Sequence, residues 1–218
     1  MDVVVLASGR GSNLGAILRA IDEGRCAARV AAVVSDKADA LALELARSRQ
    51  IPTAVLPFVK GDDRAAWDAR LAETVASFAP KVVVLAGFMR IVGPAMLARF
   101  SGRIVNVHPA LLPCFPGTDG PAQAIRARVR VSGCTVHVVD AGVDTGPILT
   151  QAAVPVLADD DADRLHLRIQ KAEHRLLPAT LDAIARGAID LGPPPRIVSV
   201  AASDDRMLVS PAFGEPPS

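Results

Sequence analysis

Apolar residues in this 218-residue chain fall into short unbroken runs, and these alternate with stretches where apolar residues recur every third or fourth position. Unbroken runs predict strands buried on both faces, and the longer period predicts helices packed against them. Val3, Val4, Val5, Leu6 and Ala7 form the first run, and Leu14, Ile17, Leu18 and Ile21 the first helical face. The alternation continues with a strand over 30–34, an Ala/Leu-rich helix over 38–47 and a short strand over 53–56 after Pro52. A helix capped by Asp62 or Asp63 runs to about residue 78, with Trp67, Leu71 and Val75 at positions i, i+4 and i+8. Further strands are predicted over 81–86, around Ile104, Val105 and Val107, over 131–139 and over 148–156. The longest helix starts at Asp160 and Asp161, reaches about residue 186 and stops at Gly187. Beyond Pro193, Pro194 and Pro195, segments 197–200 and 207–209 read as a small hairpin, with a frayed tail from residue 214.

The pattern as a whole predicts an α/β fold of one domain over 1–192, with 193–218 as a hairpin and tail of that same domain. The central sheet is expected to be mostly parallel, with helices on both faces and antiparallel additions near the C-terminus. Composition agrees: 50% apolar and 22% charged residues suit a globular chain. A net charge of +1, with no dense Lys/Arg patch, argues against a nucleic-acid partner. Cys26, Cys114 and Cys134 lack both the even count of a disulfide framework and zinc-ligand spacing, so free thiols and no metal are expected. The chain starts directly on its first strand, and no apolar run approaches the ~20 residues of a membrane span. A soluble, cytoplasmic protein without a membrane partner is the expectation; a homodimer is left open.

Candidate chemistry sits at strand ends. The 104–107 run is interrupted by Asn106 and His108, two residues apart and so on one face of the strand, which Pro109 terminates. An amide there can donate to an oxygen gaining charge, and an imidazole can move a proton near neutrality. Taken alone, such a triplet more often describes a polar strand end. The turn Ser8-Gly9-Arg10-Gly11-Ser12-Asn13 lies between the first strand and helix, where glycines allow close approach and Ser12 or Asn13 can cap the helix. Gly9 and Gly11 begin like a dinucleotide fingerprint, with Asp36 after the next strand. The third glycine is missing, however, because Leu14 holds its place and Gly15 comes one residue late, so a single phosphate monoester is the better fit. Segment 87–94 places large apolar residues after a strand, and either lines a pocket for a flat ring or plugs the core. Segment 140–147 carries Asp140 and Asp144 among turn formers. Gln170, Glu173 and His174 share one side of the long helix, by default a solvated one.

In combination, over about residues 1–187, these motifs resemble the folate-dependent phosphoribosylglycinamide formyltransferases, which implies a Rossmann-like formyltransferase fold. The resemblance implies that Gly11, Ser12 and Asn13 hold the ribonucleotide phosphate and that Gln170, Lys171, Ala172 and Glu173 contact the same substrate. It implies a 10-formyltetrahydrofolate cosubstrate against Met89, Arg90, Ile91 and Val92, with Arg64 as a folate-binding arginine. Asn106 and the segment Asp140, Ala141, Gly142, Val143 and Asp144 complete that cosubstrate site. Asn106, His108 and Asp144 are then catalytic, with Thr135 and His137 supporting them from behind. The implied reaction passes a formyl group to the glycinamide amine, in de novo purine synthesis.

One stretch departs from the family. After Pro116 and Gly117 the family carries a His-containing segment, whereas this chain has Thr118-Asp119-Gly120-Pro121. A carboxylate near an anionic ligand weakens attraction. Gly15 in place of the family's usual Gln is a milder change. Two alternatives stay open. One is a 10-formyltetrahydrofolate hydrolase (deformylase), which uses the same Asn/His/Asp set on water, although no regulatory domain is expected before Val3. The other is a non-catalytic nucleotide-binding module.

Overall fold

The computed structural model describes residues 1–198. Strands and helices alternate as β1 (Asp2–Leu6), α1 (Ser12–Asp22), β2 (Arg29–Ser35), α2 (Leu41–Ser48), β3 (Thr53–Val55), α3 (Arg64–Ala76), β4 (Val82–Leu85), α4 (Pro94–Arg99) and β5 (Ile104–His108). They are followed by α5 (Gly120–Arg126), β6 (Val131–Val138), β7 (Ile148–Pro155), α6 (Ala162–Ala185), β8 (Ile189–Asp190) and β9 (Arg196–Ile197). Seven strands form one sheet in the order β3-β2-β1-β4-β5-β6-β7. The first five are parallel; β6 pairs antiparallel with β5, and β7 antiparallel with β6. This is the mostly parallel, helix-covered sheet with late antiparallel additions that the pattern predicts.

The unbroken apolar runs are explained by two cores, one on each face of the sheet. Val3, Val5, Val33 and Val84 pack with α1, α2 and the C-terminal half of α6. Val4, Leu6, Val83 and Leu85 face the other way, onto Trp67 and Leu71 of α3 and Met96 of α4. Alternation along β5 then sends Val105 and Val107 into the first core and Ile104 into the second. Asn106 and His108 share Ile104's face, and Thr135 and His137 of β6 lie opposite them in register. A polar strip therefore adjoins the second core.

Two local expectations change. The α1 cap is Gly11, at φ 73° and without a side-chain cap bond; Ser12 and Asn13 are the first helical residues. Their side chains reach α6 instead. Asp63, by contrast, does cap α3, its carboxylate accepting from Ala65 and Ala66 N–H. The supposedly solvated side of α6 is largely buried, because α6 packs across α1 and β6; Glu173 is 5% exposed. Ile197 pairs with Ile189 upstream in a two-stranded sheet; its expected hairpin partner, segment 207–209, and the tail from 214 lie outside the described residues. The short helices α4 and α5, six and seven residues long, carried no readable periodicity.

Candidate active site

Strand pairing alone brings half of the site together. Asn106 is registered with His137 and His108 with Thr135 across the β5–β6 ladder. Asn106 Nδ2 donates to His137 Nε2 at 3.2 Å, while His137 Nδ1 lies 3.0 Å from the Val138 carbonyl oxygen. A carbonyl can only accept, so the His137 proton sits on Nδ1 and Nε2 is the acceptor. Burial lowers the His137 pKa and agrees with that neutral ring. One of the two amide hydrogens of Asn106 is thus engaged, and the other remains for a ligand.

Asp144 arrives by a longer route. Because β6 is antiparallel, its carboxyl end lies beside the amino end of β5, where Val139 N donates to Ile104 O at 2.8 Å. The following loop returns along the sheet to put Asp144 Oδ2 3.3 Å from His108 Nδ1 and Oδ1 3.5 Å from His137 Nε2. Asp140 shapes that loop, its Oδ1 accepting from Gly142 N at 3.0 Å and from the Thr145 hydroxyl at 2.7 Å. Asp144 itself adopts φ 55°. Its carboxylate also accepts from Gly117 N at 2.8 Å, and the Phe115 carbonyl accepts from His108 Nε2 at 2.8 Å. Both ring nitrogens of His108 therefore already face protein acceptors, and its contribution is a positioned charge or proton more than a free donor.

The loop that supplies Phe115 and Gly117 is anchored in turn by Thr135. Its hydroxyl donates to Ala110 O at 2.7 Å and accepts from Leu112 N and from Gln151 Nε2, each at 3.0 Å. Gln151 Nε2 is also 2.9 Å from Leu112 O. Sequence reasoning missed Gln151, and it missed the roles of Phe115 and Gly117 because main-chain groups carry no residue-type signature. Asp119 is exposed and is the N-cap residue just before α5.

The turn after β1 leads into the uncapped N-terminus of α1, whose first N–H groups lack intrahelical partners and suit an anion. Gly11 is required there: a Cβ would lie 2.8 Å from Ala42 Cα. From α6, Gln170 Nε2 donates to the Ser12 hydroxyl at 3.2 Å and Glu173 Oε2 accepts from Asn13 Nδ2 at 3.1 Å. Lys171 is exposed and Ala172 packs against the Leu165–Ile169 cluster, so neither shares those bonds. Burial raises the Glu173 pKa, while Asn13 and the nearby His166 and His108 lower it. Asn13 Oδ1 is buried without a hydrogen-bond partner.

On the other side, Met89 and Ile91 are 72% and 67% exposed, an unusual presentation for large apolar residues and one that suits a flat heterocycle. Val143 of the Asp144 loop is exposed as well. Ala141 and Gly142 beside it are also exposed. The Val92 side chain is buried in the second core, beside the backbone held by Asp68, which accepts from Gly93, Ala95 and Met96 N–H. The Arg90 guanidinium turns inward, its Nε 2.7 Å from Asp36 Oδ2. Arg64 donates to the Ile91 carbonyl and lies over the Phe58 and Trp67 rings.

This arrangement can hold a phosphate at α1, a flat ring at residues 89–91, and a carbonyl carbon between amide, imidazole and carboxylate. Comparison with known proteins agrees. The formyl transferase family model matches residues 1–181. The phosphoribosylglycinamide formyltransferase of Mycobacterium tuberculosis is 50% identical over 183 residues, 84% of each chain. The crystal structure of glycinamide ribonucleotide transformylase 1 from Symbiobacterium toebii superposes with a TM-score of 0.87 at 46% identity, covering 91% of this chain and 94% of that one. A formyltetrahydrofolate deformylase from Pseudomonas syringae gives 0.80 at 26% identity, covering 86% of this chain and 62% of its own. The chain belongs to the formyl transferase family and is an enzyme of that family, with phosphoribosylglycinamide formyltransferases among its relatives.

Proposed function

We propose that this formyltransferase moves a formyl group from 10-formyltetrahydrofolate to the primary amine of phosphoribosylglycinamide, a step of purine synthesis in the cytoplasm. The observation that carries the reading is the Asn106, His108, His137 and Asp144 cluster, closed by contacts of 3.2 to 3.5 Å. The folate supplies the activated formyl carbon. The exposed faces of Met89 and Ile91 receive its ring, and Arg64 fixes the Ile91 backbone. Gly11, Ser12 and Asn13 hold the phosphate at the helix N-terminus. Gln170 and Glu173 orient Ser12 and Asn13 and face the ribose.

An α-amino group with a free pKa of ~8 is a fair nucleophile once deprotonated, so attack on the formyl carbon is direct. As the carbonyl carbon becomes tetrahedral, its oxygen gains charge. The free N–H of Asn106 donates to it, a contribution of ~3 kcal/mol for a well-placed donor. His108, protonated and held by Asp144 and the Phe115 carbonyl, places positive charge beside it. Asp144 accepts the proton that the attacking amine sheds, directly or through one water, and passes it toward the departing folate nitrogen, an effect of ~10² to ~10⁴ in rate. No step calls for a metal.

The deformylase reading draws on the same Asn/His/Asp set and on the structural likeness to the Pseudomonas syringae protein. The phosphate turn favours the transferase. Tetrahydrofolate release, followed with and without phosphoribosylglycinamide, decides between them. The expected result is release that requires the ribonucleotide and yields its formylated product; equal release in its absence would transfer the assignment to the hydrolase. Binding of both ligands without turnover would mark a non-catalytic module.

A further inference from the structure

Asp36 was conspicuous in the sequence as the acid a dinucleotide fold sets on a ribose, yet its side chain is fully buried and both oxygens are taken. Oδ1 accepts from the Ser8 hydroxyl at 2.5 Å and Oδ2 from Arg90 Nε at 2.7 Å. The Ser8 hydroxyl also accepts from Met89 N at 2.8 Å, and Ser8 N donates to Gly87 O at 3.0 Å. Arg90 continues outward, its Nη2 3.5 Å from the Phe58 carbonyl oxygen and its guanidinium 5.1 Å above the Phe58 ring. A carboxylate so deeply buried is costly unless paired, so this arrangement persists only as a complete set.

The brace links two loops that meet different substrates. Ser8 opens the turn that ends in Gly11, Ser12 and Asn13. Met89 and Arg90 belong to the loop whose apolar side chains stand exposed. Within residues 87–91 Phe88 packs against the second core and stacks on Trp67, whereas Met89 and Ile91 stand exposed, so the backbone around Met89 and Arg90 is set by the polar bonds from Ser8 and Asp36. We propose that Asp36, with Ser8, is a positioning residue for the formyl donor: it holds the 87–91 loop in its binding shape against the phosphate turn. A loop ordered beforehand avoids the entropic cost of ordering on binding. This inference rests on the folate reading above and concerns affinity for the donor, not the chemical step.

The test is Asp36→Asn, which keeps an acceptor for Ser8 but turns an amide N–H toward Arg90 Nε, donor against donor. The expected result is a KM for the formyl donor raised about tenfold, with kcat within about twofold and the ribonucleotide KM within about threefold. Ser8→Ala, which removes the two hydroxyl bonds without altering charge, should show the same split and decides the matter where Asp36→Asn does not fold. A loss confined to kcat, or to thermal stability with the donor KM unchanged, would overturn the proposal. Direct titration with tetrahydrofolate, followed through Trp67, the sole tryptophan, reads the same effect without turnover. A wild-type enzyme that fails to formylate the ribonucleotide would therefore sink the functional reading and leave this test intact.

Discussion

His137 shows how much one side chain depends on its surroundings. In the strand pattern it is only an inward residue next to the Asp-rich loop; in the fold its proton is fixed on Nδ1 and Nε2 receives the Asn106 amide. Burial depresses its pKa, so as pH falls the unfolded chain takes up the proton first. Stability from this group is complete above the ordinary histidine pKa of ~6.5 and is lost as pH drops through the lowered folded value. Thermal melts from pH 8 to pH 5 should show His137→Gln losing part of the wild-type decline; a gap between the two proteins that stays constant with pH would contradict this. Asp144, 3.3 Å from His108, carries the larger kinetic prediction. Asp144→Asn should lower kcat at least about a hundredfold with little change in ribonucleotide affinity, as steady-state kinetics would reveal. Near-normal turnover would remove it from the mechanism.

Among the elements, α1 illustrates a cap decided by tertiary contact. Ser12 and Asn13 have the chemistry of caps, but α6 takes up their side chains and Gly11 assumes the cap position at φ 73°. The exposed helix N–H groups stay available because of it. Gly11→Ala must adopt a left-handed backbone and push against Ala42, a strain of ~1–3 kcal/mol. Urea denaturation should register that loss, accompanied by weaker ribonucleotide binding; an unchanged midpoint would mean the turn relaxes freely. The long α6 changes meaning for a similar reason. Spacing alone cannot tell a solvated polar side from one that closes over a neighbouring helix, and Glu173 lies on the latter.

For the molecule as a whole, the proposed ligand-facing groups come from the start of α1, the loop after β4, β5, the loop after β6 and α6, so on this reading a bound substrate ties together segments over 150 residues apart. Ribonucleotide at ~100 times its Kd should add ~2.7 kcal/mol to folding, a rise in Tm of roughly 5–10 °C for a chain of this size. Scanning calorimetry with and without the ligand checks it, and no shift would argue against a specific phosphate site. Among the described residues no helix is long and apolar enough to cross a membrane.

The sequence by itself determined the parallel sheet, its two covered faces, and most of the strand-end residues, because unbroken apolar runs and period-four faces are local consequences of burial. It also contained Asn106, His108 and Asp144 in recognisable segments. Only the tertiary structure decided that the loop after β6 returns along the sheet to His108, that Val92 sinks into the core, and that Asp36 pairs with Ser8 and Arg90. These are outcomes of pairing and charge satisfaction between distant segments, and no window of neighbouring residues encodes which partner a buried carboxylate or a main-chain N–H will find.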